Sequence, residues 1–225
     1  MIKFYSISHD SFRSKKIPWI EKITKGLIDG GTCPECGARL IEPSGELKVT
    51  LEKNNKASVW PDAMGCGHYP LLIISSKVLE LWEMEHMGRL HAAKVEIEGE
   101  IPIKMQGIER KDYYWLIGQK MQGAKIDFEK SGFVDVTFCK KCGTRDADIN
   151  ATYDKQHSGT WPLHVIEETW NGDNLFTTDL SPQVFICTDD VFKFAGKHEL
   201  TNFEFIPTEV AASELEGIPY LKKKG

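Results

Sequence analysis

The chain has 225 residues, 41% hydrophobic and 27% charged, with a net charge of −5, which is enough for one large domain or two small ones around a buried core. A sequence pI of about 5.8 argues against a nucleic-acid partner, which calls for a basic surplus. No run approaches the ~18 apolar residues of a membrane span.

The opening "MIKFYSISHDSFRSKK" has no apolar core of a secretory signal. The expected compartment is the cytoplasm, where paired cysteines bind metal or do redox work more often than they form structural disulfides. Residues 14–29, "SKKIPWIEKITKGLID", are predicted to hold a helix beginning near Pro18, because proline is tolerated in a first turn. "TCPECGAR" at 32–39 then supplies a first Cys-x-x-Cys-Gly, followed by Trp60-Pro61 and by the run "PLLIISSKVLEL" at 70–81. In that run Leu71–Ile74 reads as a strand. Ser75 or Ser76 is placed to cap a helix whose face carries Val78, Leu81 and Trp82. "KVEIEG" at 94–99 alternates as a half-buried strand. "DYYWLIG" and "KIDFEKSGFVDVTF" follow as strand-rich connections within 104–137.

The second half repeats the order. "FCKKCGTR" at 138–145 is followed by Trp161-Pro162 and then by "PQVFICTDDVFKF" at 182–194. Val184–Cys187 reads as a strand, with Thr188 placed to cap a helix and Asp189 and Asp190 near its positive dipole end. "NFEFIP" at 202–207 is again a strand. The expected fold is therefore α+β. Two similar strand-helix-strand halves each carry a CxxCG zinc-knuckle turn and are joined through a shared zinc-ribbon-like site. The divisions are an N-terminal segment (1–30), a first half (31–103), connecting strands (104–137), a second half (138–213) and a tail (214–225), all within one compact domain.

Zinc takes four thiolates at tetrahedral corners, and each Cys-x-x-Cys supplies two of them from one tight turn. Gly37 and Gly143 can take the positive φ such a turn needs. Cys33, Cys36, Cys139 and Cys142 are the expected ligands of one closed, structural zinc ion. Two other readings stay open, a thioredoxin-like redox motif and cysteines with no ligand role. Cys187 is expected in the core. Cys66, with glycines on both sides, is expected in an exposed loop, where His68 and Asp62 lie close enough in sequence for an accessory metal or a nucleophile–base pair. There is no phosphate-binding loop, HExxH or GxSxG motif.

The ordered set "CPECG" (33–37), "WPD" (60–62), "PLLIISSKVLEL", "CKKCG" (139–143), "ETWNGDNLF" (168–176), "QVFICTDDVFKF" (183–194) and "LTNFEFIP" (200–207) resembles the double-CXXCG motif proteins. These are similar to the immunity proteins of the swarming-inhibition (Sit) toxin systems of myxobacteria. The resemblance covers most of the chain. It implies metal ligation at Cys33, Cys36, Cys139 and Cys142, no catalytic residue, and a non-enzymatic role in bacterial competition: binding and neutralising a cognate toxin. The acidic stretches Glu80, Glu83 and Glu85, and Glu96, Glu98 and Glu100, are candidate contacts for a basic toxin. The alternative is a zinc-ribbon nucleic-acid-binding or regulatory protein, for which "CKKCGTR" is locally basic.

Overall fold

The structure, a computed structural model, describes residues 2–9, 15–54, 56–66, 69–143, 145–149 and 162–208. His68, Trp161 and the tail at 214–225 lie outside the described residues. The described chain is mostly β with two nine-residue helices, α+β in the broad sense. Its strands are β1 (Phe4–His9), β2 (Ile20–Thr32), β3 (Arg39–Leu51), β4 (Ala63–Cys66), β5 (Tyr69–Ser75), β6 (Ala92–Glu98), β7 (Tyr113–Leu116) and β8 (Gln122–Ile126), then β9 (Phe133–Phe138), β10 (Arg145–Ile149), β11 (Val165–Ile166), β12 (Leu175–Thr178), β13 (Phe185–Thr188) and β14 (Phe203–Pro207). Helix α1 is Ser76–Met84 and α2 is Asp189–Lys197.

Six strands close into a barrel in the order β2-β3-β6-β7-β5-β4. Its interior is filled by Ile20, Leu47, Val49, Trp60, Met64, Ile73, Val95, Tyr113 and Trp115. The polar ends of the large rings are satisfied where they meet the wall. Tyr113 Oη donates to the Pro61 carbonyl at 2.7 Å, and Trp115 Nε1 donates to that of Gly45 at 2.9 Å.

The helix predicted from Pro18 is instead the start of β2. Ile20, fully buried, pairs with Leu51 on one side and Cys66 on the other, and so closes the barrel. The β-branched Ile20, Ile23 and Thr24 favour a strand. Gly26 at φ +97° breaks any helix there, and a Cβ on it would sit 2.6 Å from the Glu46 carbonyl oxygen. The ribbon is exposed on both faces beyond the barrel, so no period-2 pattern marked it. Cys66 also departs from expectation. It ends β4 at 5% exposure inside the barrel cluster, paired with Tyr69 of β5, because Gly65 lies within a strand pair rather than in an open loop.

A second, six-stranded sheet runs β11-β8-β12-β13-β1-β14. Its helix-bearing part repeats the frame seen in the barrel. β7 lies between β5 and β6 as β1 lies between β13 and β14, antiparallel throughout. Ser75 faces Tyr113 as Thr188 faces Phe4. The Ser75 amide donates to the Asp62 carbonyl and the Thr188 amide to that of Asn174, both at 3.0 Å. The helices then begin by donating to the Asp112 and Lys3 carbonyls, and end on the left-handed residues His86 (φ 55°) and Glu199 (φ 49°). Ser75 and Thr188 hold the expected N-cap positions, but neither side chain caps. Each is used laterally, Ser75 Oγ donating to Asp62 Oδ1 (3.1 Å) and Thr188 Oγ1 to Asn174 Oδ1 (2.8 Å).

The two frames meet face to face over one apolar cluster that holds Ile74, Val78, Trp82, Cys187, Val191, Phe194 and Phe205. Trp82 and Phe194 touch edge to face at 5.6 Å, a geometry that adds to area burial. Cys187 is fully buried in this cluster as expected.

Asp62 locks the junction. Its carboxylate is 1% exposed and takes Lys111 Nζ at 2.7 Å, Ser75 Oγ, and both the amide (2.9 Å) and hydroxyl (3.0 Å) of Thr201. On the opposite side Asn174 Nδ2 donates to the Met87 carbonyl at 3.1 Å. Burial pushes the Asp62 carboxyl up, but Lys111 and the Thr201 donors outweigh it and hold the group below its ordinary value.

Truncation by Asp62→Ala leaves Lys111 unpaired and the Thr201 donors unmet, and should cost about 3–5 kcal/mol in denaturant unfolding. Asp62→Asn keeps the shape that Asn174 already uses and should cost less, about 1–2 kcal/mol. Because the carboxyl ionises more readily folded than unfolded, the Asp62 contribution is complete above about pH 4 and is lost as pH falls through the lowered folded value. Unfolding curves of wild type and Asp62→Asn should therefore converge on acidification. A gap that stays constant from neutral pH to strongly acidic pH would contradict this.

Candidate metal centre

Both Cys-x-x-Cys-Gly segments are hairpin tips. In β2–β3 the last pair is Thr32↔Arg39, and in β9–β10 it is Phe138↔Arg145, so each tip spans six residues. Within the tips the Gly37 amide donates to the Cys33 carbonyl and the Gly143 amide to that of Cys139, both at 2.9 Å. Gly37 and Gly143 have φ of +74° and +73°, the left-handed conformation that the sequence pattern called for. Two stretches separated by over a hundred residues thus fold into the same knuckle.

The structure brings the four predicted cysteines together. All four Sγ atoms lie within 4.8 Å of one another. Cys33 Sγ is 3.8 Å from Cys139 Sγ, and Cys36 Sγ is 3.5 Å from Cys142 Sγ, both contacts crossing between the hairpins. Four sulfurs about 2.3 Å from a tetrahedral zinc are about 3.8 Å apart, so the donor set fits such an ion in number, type and spacing. The Ala38 amide draws the Cys36 thiol down, but desolvation and the neighbouring thiols of Cys142, Cys139 and Cys33 push it up to about 12. A divalent cation supplies the missing counter-charge and lets the thiolates coexist.

Cys33 is buried, Cys139 and Cys142 are half-buried, and Cys36 is exposed. Beside them opens a cleft of about 570 Å3 lined by Glu35, Cys36, Thr137, Phe138, Cys139, Lys140 and Arg145. Arg145 ties the second ribbon to the body: its guanidinium lies over the Phe128 ring at 5.0 Å and pairs with Asp179 at 3.3 Å, while within the ribbon it also covers the ring of its cross-strand partner Phe138 at 5.4 Å. The sequence reading overlooked this anchor, since aromatic–arginine pairs distant in the chain leave no local pattern. Asp62 entered the sequence analysis as part of "WPD" and as a neighbour of Cys66, not as a buried junction residue. The recurrence of a short polar residue before β4 and β12, Asp62 and Asn174, is the signal that could have found it. Cys66 and Cys187 stand apart from the metal cluster, each buried in its own core.

Loss of one ligand should release the metal and the constraint together. A clip closing a loop of about 100 residues restricts the unfolded chain by roughly 4–5 kcal/mol on the chain-entropy argument. Purified protein should carry one equivalent of zinc by elemental analysis. Cys139→Ser should lose it and about 3 kcal/mol of stability. Full metal content retained by that variant would separate the two knuckles. Comparison with models of known protein families and with curated protein sequences finds no match, so the metal assignment stands on the geometry of these four thiols.

Proposed function

We propose that the chain is a cytoplasmic immunity protein of bacterial competition, which binds and neutralises a cognate toxin through a scaffold stapled by one structural zinc ion. In this reading the two frames around α1 and α2 descend from one duplicated strand-helix-strand unit. The knuckles form a zinc-ribbon-like junction between them, as in the double-CXXCG immunity proteins that the sequence resembles. Four thiolates close the coordination sphere of zinc, so the metal holds shape and the chain acts by binding rather than by catalysis.

The observation that carries the reading is an unusual surface on the ribbons. β9 exposes Val134 (36%), Val136 (38%) and Phe138 (58%), and β2 exposes Leu27 and Ile28 (58%). Apolar side chains displayed on ribbons beside a cleft are the composition of an interface core. The acidic stretches are a poorer candidate for the contact. Lys48 pairs with Glu96 (2.9 Å) and Glu98 (2.8 Å), Lys53 with Glu100 (3.4 Å), and Lys197 with Glu85 (2.6 Å). Glu80 and Glu83 stand exposed on α1.

A zinc-ribbon nucleic-acid-binding role is the second reading, favoured by Lys140 and Lys141 exposed on the second tip. Against it, Arg145 is engaged by Asp179, and the net charge is −5.

Co-expression with the product of the adjacent gene tests the first reading. Wild type should protect cells and co-purify with that protein, and Phe138→Asp should weaken the complex at least tenfold while keeping the metal, since a buried aromatic anchor carries more than ~1.4 kcal/mol. Protection that survives Phe138→Asp unchanged would move the contact elsewhere. Salt-sensitive nucleic-acid binding with no protection would favour the second reading.

A further inference from the structure

We propose that the four-cysteine centre is also an oxidative modification site, in which a hydroperoxide converts the metal clasp into two disulfides that cross between the hairpins. The inference rests on the shared-centre reading, and three observations carry it.

The first is access. Cys36 is exposed, Cys139 and Cys142 are half-buried, and the cleft of about 570 Å3 is lined by both Cys36 and Cys139. Oxidation follows exposure and thiolate character, and a bound metal keeps cysteines as thiolates. The second is the arrangement of pairs. The short sulfur contacts, Cys33–Cys139 at 3.8 Å and Cys36–Cys142 at 3.5 Å, each join one hairpin to the other. A sulfenic acid formed on either tip therefore faces a resolving thiolate on the opposite tip. The third is contrast. The remaining thiols, Cys66 at 5% and Cys187 at 0% exposure, are sealed in separate cores.

The chemistry balances. One thiolate attacks a peroxide oxygen, the O–O bond breaks, and the leaving alkoxide takes a proton as an alcohol. The facing thiolate then attacks the sulfenic sulfur, the S–O bond breaks, and the hydroxide takes a proton as water. Two disulfides consume two hydroperoxides and four protons, the sulfurs are oxidised and the peroxides reduced, and no thiolate remains to hold the metal. The ribbons stay joined, now covalently, across a separation of 106 residues.

The test begins with elemental analysis of the reduced, full-length protein. Hydrogen peroxide is then added stepwise in the presence of a zinc-responsive dye, followed by non-reducing peptide mapping. The expected result is one zinc released per two peroxides, with Cys33–Cys139 and Cys36–Cys142 linkages and with Cys66 and Cys187 still alkylatable after denaturation. Disulfides within each tip, Cys33–Cys36 and Cys139–Cys142, or over-oxidation to sulfinic acids without cross-links, would overturn the proposal. If the first step finds no metal, the shared-metal reading fails by itself. Mapping the peroxide-treated metal-free chain still decides the pairing: cross-hairpin links uphold that part and local links overturn it. A Cys142→Ser variant, with its fold checked by circular dichroism, should still form Cys33–Cys139 on peroxide treatment, and a folded variant that forms Cys33–Cys36 instead would overturn the proposed pairing.

Discussion

Four sulfurs from positions 106 residues apart must meet at one point, and the ribbon strands that lead to them, the outer part of β2 and β9, bury almost nothing. Beyond Gly26 the residues of β2 are exposed almost without interruption, and β9 is exposed from Val134 to Phe138. A two-stranded ribbon of that kind is marginal in water. What stabilises these two is attachment at both ends: to the barrel and to Phe128 and Asp179 at the base, and to each other at the knuckles. Four mutually repelling thiolates cannot supply the second attachment alone. A divalent cation among them turns that repulsion into a link between the two ribbons.

Asp62 performs the complementary task inside the molecule. It collects Ser75, Lys111 and Thr201 from three separated stretches and fixes how one helix frame sits against the other. The matching position, Asn174, does a neutral version of the same work toward Met87. The frames are further entangled by the strands that complete them. β1, from the start of the chain, sits between β13 and β14, and β7, from the middle, sits between β5 and β6. Each frame is thus finished by a strand from outside its own helix-bearing stretch. Both of these strands also feed the apolar cluster between the helices, through Ile7 and Leu116.

Much of this was legible in the sequence because it depends on local chemistry. The strand-to-helix joints at Ser75 and Thr188, the alternation in "KVEIEG" and "NFEFIP", and the glycine after each cysteine pair all follow from nearest-neighbour rules. The meeting of the two knuckles is not local, but the repeated order of elements around each cysteine pair pointed to it. Three features were not legible. The start of β2 looked helical because Pro18 suits a first helical turn and the exposed ribbon that follows lacks a period-2 stripe. Cys66 looked exposed because glycine marks both loops and tightly packed strand pairs. The lateral use of the Ser75 and Thr188 hydroxyls depends on Asp62 and Asn174, whose proximity arises only from tertiary pairing.

The central claim is that two knuckles share one metal with an all-sulfur coordination sphere. X-ray absorption at the zinc edge tests it most directly on the purified protein. The account predicts a single shell of four sulfurs at about 2.3 Å. A shell containing nitrogen or oxygen ligands, or two sulfurs per metal with two metals per chain, would contradict it.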